Sequence, residues 1–144
     1  MGQAVRTAEM RPPIGWLWVA IALEIAGELV DLRWHATHDV QRAFESWGNQ
    51  AQAHWLLWIA TVVTIAVAFL GGRVAVSRVR TGYEIVLASA LFYAAVSIWH
   101  GWAHSIGDDP SLAHVLLVVT KAGVLVGAIW ATVAWKKTAQ GPTT

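Results

Sequence analysis

The sequence predicts an all-α membrane protein, a four-helix bundle whose helices each cross the bilayer. Of its 144 residues, 56% are hydrophobic and 13% are charged, and the mean hydropathy is +0.50. An average soluble domain has roughly 25% charged residues. Four apolar stretches are long enough to cross a bilayer, which takes about 20 residues each. These observations favour a single polytopic membrane domain over a soluble fold.

The four predicted spans are bounded by turn-forming or polar residues. The first runs over residues 14–35, after two prolines, and the second over 54–70, before Gly71-Gly72. The third covers 82–104, and the fourth covers 111–135 after Pro110, a residue tolerated at a helix start. The polar stretch 39–52 is predicted to be a loop with a short surface helix over 40–47. The membrane domain is then 14–136, between tails 1–13 and 137–144.

Basic residues predict the orientation of the bundle. With four spans, both termini and the middle connection share one side of the membrane. That side holds most of the basic residues: Arg6, Arg11, Arg73, Arg78, Arg80, Lys136 and Lys137. The opposite side holds only Arg33 and Arg42. The positive-inside rule therefore predicts cytoplasmic termini in a multi-pass protein of the plasma (inner) membrane.

Histidines collect at the other, extracytoplasmic side. All six lie near the outer ends of the predicted spans: His35, His38, His54, His100, His104 and His114. The chain has no cysteine, which excludes thiolate metal sites and disulfides. Its net charge of +1 gives no sign of nucleic-acid binding. A histidine-rich outer face is the main functional signal.

A stripe of ionisable residues lies on one face of the first helix. Glu24, Glu28, Asp31 and His35 follow one another at steps of four, three and four, which keeps them on one face. Ionisable groups inside a membrane are functional-site candidates by default. If the first and fourth spans pack antiparallel, Glu24 and Lys121 lie at the same depth in the membrane. We therefore expect Lys121 to pair with Glu24 or Glu28. Together with Tyr93 of the third span, Glu24, Glu28 and Lys121 are candidates for the surroundings of a site or for a proton relay.

The two halves of the chain resemble each other. His35 and His100 each follow a tryptophan at the end of a span, and His54 and His114 each begin the next span as His-x-Leu-Leu. This pattern predicts an internal repeat of two helical hairpins related by a pseudo-two-fold axis along the membrane normal. The alternative is coincidence, since Trp and Leu are common at membrane boundaries.

The residue types predict a metal site in the outer leaflet. Imidazoles with carboxylates and no sulfur suit zinc, copper(II) or iron. The candidate ligands are Asp31, His35, His54, His100, His104 and His114. Their positions along the helices predict that all six lie at a similar depth in the membrane. They could then form a mononuclear or a dinuclear site.

One segment also resembles a known family. The pattern G-E-x-x-D-x-x-W-H of residues 27–35, with Asp39 and then His54, resembles the copper-bearing C subunit of membrane methane and ammonia monooxygenases, and small bacterial membrane proteins with the same D-x-x-W-H element. The resemblance covers residues 24–54 and implies that Asp31, His35 and His54 ligate a metal. The interval between the two histidines is longer here, no proline precedes His54, and His38 replaces the family's arginine.

Several functions remain open at this point. The first is a metal-binding membrane protein, holding copper or zinc, that acts in metal handling or as an accessory subunit. The second is a b-type cytochrome in membrane electron transfer, whose haem is held by two histidines of facing helices, such as His35 or His54 with His100 or His114. The third is proton-coupled transport, and the fourth is a structural subunit of a membrane complex. Expected partners are the lipid bilayer and either other membrane subunits or a second copy. No nucleophile or base stands in a catalytic motif, so enzymatic activity is not assigned.

Overall fold

The fold is a bundle of four long α-helices, described by a computed structural model over residues 13–38, 47–108 and 110–140. The helices are α1 (Ile14–Thr37), α2 (Trp47–Val74), α3 (Ser77–Ser105) and α4 (Ser111–Ala139). Within these residues no β-strand occurs. Helices of 24–29 residues extend about 36–44 Å at 1.5 Å per residue, which is enough to cross a bilayer. The all-α prediction is confirmed.

The helices extend further than the predicted spans. Residues 47–52 belong to α2, so their prediction as loop was wrong, and α2 continues past Gly71-Gly72 to Val74. α3 begins at Ser77, five residues before the predicted start. The reason is that hydropathy marks only the apolar part of a helix, whereas backbone hydrogen bonding continues into polar sequence. Residues 40–46, where the surface helix was predicted, lie outside the described part of the chain.

Three helices meet the requirements of a membrane span by length and composition. They contribute the segments Ala51–Val74, Ser77–Ser105 and Ser111–Ala139. α1 is also long enough, but Glu24, Glu28 and Asp31 lie along its middle. These acids share one face, while Leu29 and Leu32 of α1 are exposed on the outside of the bundle. α1 therefore also presents apolar side chains to its surroundings.

The outer surface of the bundle is apolar. Large hydrophobic side chains are exposed on every helix, among them Leu32, Ile59, Ile98 and Val118. A continuous surface of this kind is rare on a soluble monomer and is typical of contact with lipid. Together with the three apolar helices, it identifies the fold as that of a membrane protein.

The helices pack in chain order around the bundle. α1 packs on α2, α2 on α3 and α3 on α4, and a smaller contact between α4 and α1 closes the ring. The interface of α3 and α4 depends on glycine, since a Cβ atom at Gly127 would lie 2.8 Å from the carbonyl oxygen of Gly82. Small residues of this kind let membrane helices approach closely. The close approach fixes the register of α3 and α4, and with it the level of their histidines.

Candidate metal centres

Asp31, His35 and His54 come together at one end of the α1–α2 hairpin. Asp31 and His35 are one helical turn apart on α1, and His54 lies in the second turn of α2. Asp31 Oδ1 is 3.3 Å from Nε2 of His35 and 3.3 Å from Nε2 of His54. The three side chains are 20–28% exposed, so the group is largely but not fully enclosed. We call this group the carboxylate site.

The carboxylate site has the dimensions of a metal centre. Zinc binds nitrogen and oxygen ligands at about 2.0–2.2 Å, so two ligands of a tetrahedral ion lie about 3.3–3.5 Å apart. Both distances from Asp31 Oδ1 fall in this range. Asp31 Oδ1 is buried and has no hydrogen-bond partner of acceptable geometry within the described residues, although the imidazole nitrogens of His35 and His54 are close. An ion between these three atoms would satisfy the buried oxygen.

His38 lies outside this group, although it is only three residues after His35. Its ring stacks on Trp34, with the ring centroids 4.5 Å apart and the planes within 5°. Its Nδ1 lies 3.0 Å from the carbonyl oxygen of Trp34. These contacts hold the His38 ring at the end of α1, away from the Asp31 carboxylate.

His100, His104 and His114 form a second group, at the same end of the α3–α4 hairpin. His100 and His104 are one turn apart near the end of α3, and His114 lies in the first turn of α4. The Nε2 atoms of His100 and His114 are 3.1 Å apart, a hydrogen-bond distance. Each of the three residues offers a ring nitrogen, and these nitrogens lie within 4.8 Å of one another. We call this group the three-histidine site.

The six candidate ligands thus form two groups of three rather than one group of six. Within each group, two ligands come from one helix, Asp31 and His35 from α1 or His100 and His104 from α3. Each pair is completed by the histidine that begins the next helix, His54 or His114. The physical reason is that helices joined within one hairpin pack most extensively, as α3 and α4 or α1 and α2 do.

A network of charged and polar side chains lies below the carboxylate site. Lys121 Nζ pairs with Glu24 Oε2 and lies 3.2 Å from Glu28 Oε1, which confirms the predicted ion pair. The hydroxyl of Thr64 donates a hydrogen bond of 3.2 Å to Glu24 Oε1. Lys121 Nζ also lies 4.0 Å from the centroid of the Tyr93 ring, a cation–π contact. This ion network brings together one or more side chains from each of the four helices.

Sequence reasoning missed Thr64, the α2 member of the ion network. Threonine is common in apolar helices, where its hydroxyl usually bonds to the preceding turn of its own backbone, as that of Thr61 does to the carbonyl of Leu57. Its position along the helix could have identified it, because Thr64 lies at the same depth as Glu24 when α1 and α2 are antiparallel.

No protein-family model, curated protein or solved structure matches this chain. The resemblance of residues 24–54 to the monooxygenase C subunit therefore stays a prediction from sequence.

Proposed function

We propose that this protein is an integral membrane protein that binds a copper or zinc dication at the carboxylate site, acting in metal handling or as an accessory subunit of a membrane complex. The observation that carries the proposal is the position of Asp31 Oδ1. This buried oxygen lies 3.3 Å from two imidazole nitrogens, at the separation that ligands of one tetrahedral ion have.

The charge around the site supports a dication. Glu24, Glu28 and Asp31 contribute three negative charges, and Lys121 contributes one positive charge, which leaves a net charge of −2 when all four are ionised. A charged side chain at the centre of a membrane helix costs about 2.5–3.5 kcal/mol, so an excess of two charges is expensive. A bound dication would make the whole group neutral.

The geometry favours a bare ion over haem. A haem held by two histidines needs an imidazole on each face of the porphyrin, whose four nitrogens fill the remaining positions around the iron. In the carboxylate site a third ligand atom lies within 4.8 Å of both imidazole nitrogens. That atom would occupy space that the porphyrin ring requires.

We place the metal-binding end of the bundle on the extracytoplasmic side of the plasma membrane. The support is the positive-inside rule, because Arg73, Arg78 and Arg80 all lie where α2 and α3 meet, at the opposite end of the bundle. In this orientation the site takes up or releases its ion outside the cytoplasm.

The test is elemental analysis with an optical spectrum on the protein purified in detergent. We expect stoichiometric copper or zinc and no reducible Soret band. Asp31→Asn and His54→Ala should each remove the ion of the carboxylate site, whereas the matched control His38→Ala should retain it. A haem spectrum, or a metal content that Asp31→Asn and His54→Ala leave unchanged, would contradict the proposal.

A further inference from the structure

The three-histidine site lies in the α3–α4 hairpin at the position that the carboxylate site has in the α1–α2 hairpin. The two sites differ in the chemistry of their side chains. His100 and His104 lie on α3 and His114 on α4, as Asp31 and His35 lie on α1 and His54 on α2. In place of an anionic oxygen, the three-histidine site has a third imidazole. Its ligand set is therefore neutral, whereas that of the carboxylate site carries one negative charge.

We propose that the three-histidine site is a second, independent metal site, which binds an imidazole-preferring dication such as copper(II) or zinc and keeps one coordination position open for an exchangeable ligand. The proposal goes beyond the proposed function, because it assigns a second ion to the other hairpin. It rests on the convergence of three ring nitrogens within 4.8 Å.

The ring positions support one shared ion. The centroid of the His100 ring lies 4.0 Å from that of His104 and 4.6 Å from that of His114. The separation of 3.1 Å between Nε2 of His100 and Nε2 of His114 is close to the ligand separation around a tetrahedral ion. One of these nitrogens donates a hydrogen bond to the other, so binding of an ion by both would require the donor ring to carry its proton on Nδ1 instead.

The neutral ligand set determines which ions the site should prefer. Imidazole suits zinc, copper, iron and nickel, and copper(II) has the highest affinity among first-row dications. Three protein ligands around a four-coordinate ion leave the fourth position to water or a small anion, as in open zinc sites. His114 is exposed, which gives such a ligand a way in.

The experiment is a count of bound ions on the full-length protein, loaded with zinc in detergent and freed of excess by gel filtration. We expect two ions per chain for the wild type, in line with the two groups. His100→Gln combined with His114→Gln should lower the ratio to one, and so should Asp31→Asn combined with His35→Gln. The control His38→Gln should keep the ratio at two.

Each outcome separates the two sites. A ratio of one that Asp31→Asn with His35→Gln abolishes would overturn the second site and leave the proposed function standing. If either double variant lost both ions, the six residues would form one cooperative centre, and the proposal of independent sites would be wrong. A ratio of zero for the wild type would overturn both proposals.

A second readout guards against loss of metal by misfolding. In the variant Asp31→Asn with His35→Gln, bound copper(II) should show electron paramagnetic resonance couplings to three nitrogens, and added azide should shift the spectrum. Couplings to fewer nitrogens, or a spectrum indifferent to azide, would contradict the open three-histidine geometry. Far-ultraviolet circular dichroism and the gel-filtration volume establish for each variant that the bundle is intact.

Discussion

Asp31 is the residue on which the carboxylate site depends most. Its Oδ1 is the point shared by both short contacts, since His35 and His54 each lie 3.3 Å from this one atom. It is also the anionic member of the group, so it would contribute both a donor atom and a charge to a bound ion. Substitutions at this position therefore separate ligation from electrostatics.

Asp31→Asn should weaken metal binding at the carboxylate site by at least about 100-fold. Substitution of residues that only hydrogen-bond to a metal ligand already lowers metal affinity by about 10–100-fold. Asp31→His should retain much of the affinity, because it replaces the oxygen by a ring nitrogen at the same helical position. The measurement is competition with a chromophoric chelator in the background His100→Gln with His114→Gln. Equal affinities for the Asn and His variants would show that position 31 does not ligate the ion.

At the scale of the element, the hairpin is the unit that builds each site. Each candidate site takes two residues from the end of one helix and one from the start of the next. The level of these ligands depends on the register of the two helices. In the α3–α4 hairpin that register is fixed by the close approach of Gly82 to Gly127 and Ala131.

Gly127→Leu should destabilise the α3–α4 hairpin by about 1–3 kcal/mol, the usual cost of forcing a larger side chain into a packed interface. A Cβ atom there would lie 2.8 Å from Gly82 O and 2.8 Å from Val86 N. These are backbone atoms, which cannot avoid the clash by a change of rotamer. Thermal unfolding in detergent, followed by circular dichroism, measures the effect. Gly101→Leu is the matched control, since no atom lies within 4 Å of a Cβ built at that position. Leucine has a higher helix propensity than glycine, so Gly101→Leu should not destabilise the helix. Similar losses for both variants would show that the close packing at Gly127 is not responsible.

The sequence predicted the helices and the ligands better than it predicted their grouping. The face shared by Glu24, Asp31 and His35 and the pairing of Glu24 with Lys121 follow from helical periodicity and depth, which a single chain displays. The choice between one group of six and two groups of three depends on which helices pack most extensively, and hydropathy carries no such information. The true start of α2 was missed because residues 47–52 are polar.

For the whole molecule, the ion network joins the two hairpins on the side of the bundle where α1 meets α4, while α2 packs on α3 on the other side. Lys121 of α4 binds Glu24 and Glu28 of α1, and Thr64 of α2 and Tyr93 of α3 contact the same pair. The Trp18 indole of α1 also donates a hydrogen bond of 3.0 Å to the Thr132 hydroxyl of α4. Lys121 therefore contributes to the packing of α4 against α1 through several contacts at once.

Lys121→Met should destabilise the protein by about 3–5 kcal/mol, the cost of leaving a buried charge without its partner. The double variant Glu24→Gln with Lys121→Met should recover much of this loss, because Glu24 is the more buried of the two acids that Lys121 contacts. Denaturation of the four proteins of this cycle in detergent gives the coupling free energy. Purely additive losses would mean that the ion pair contributes nothing beyond its separate side chains.

The sequence separation of this ion pair has a consequence for biosynthesis. Glu24 and Lys121 are 97 residues apart, so the ribosome completes most of the bundle before the counter-charge of α1 is made. During that interval the three acids of α1 have no lysine partner. Transfer of α1 from the translocon into lipid is therefore less favourable. A chain truncated after residue 110 should therefore integrate α1 poorly in a membrane-insertion assay, and extension through residue 139 should restore integration unless Lys121 is replaced.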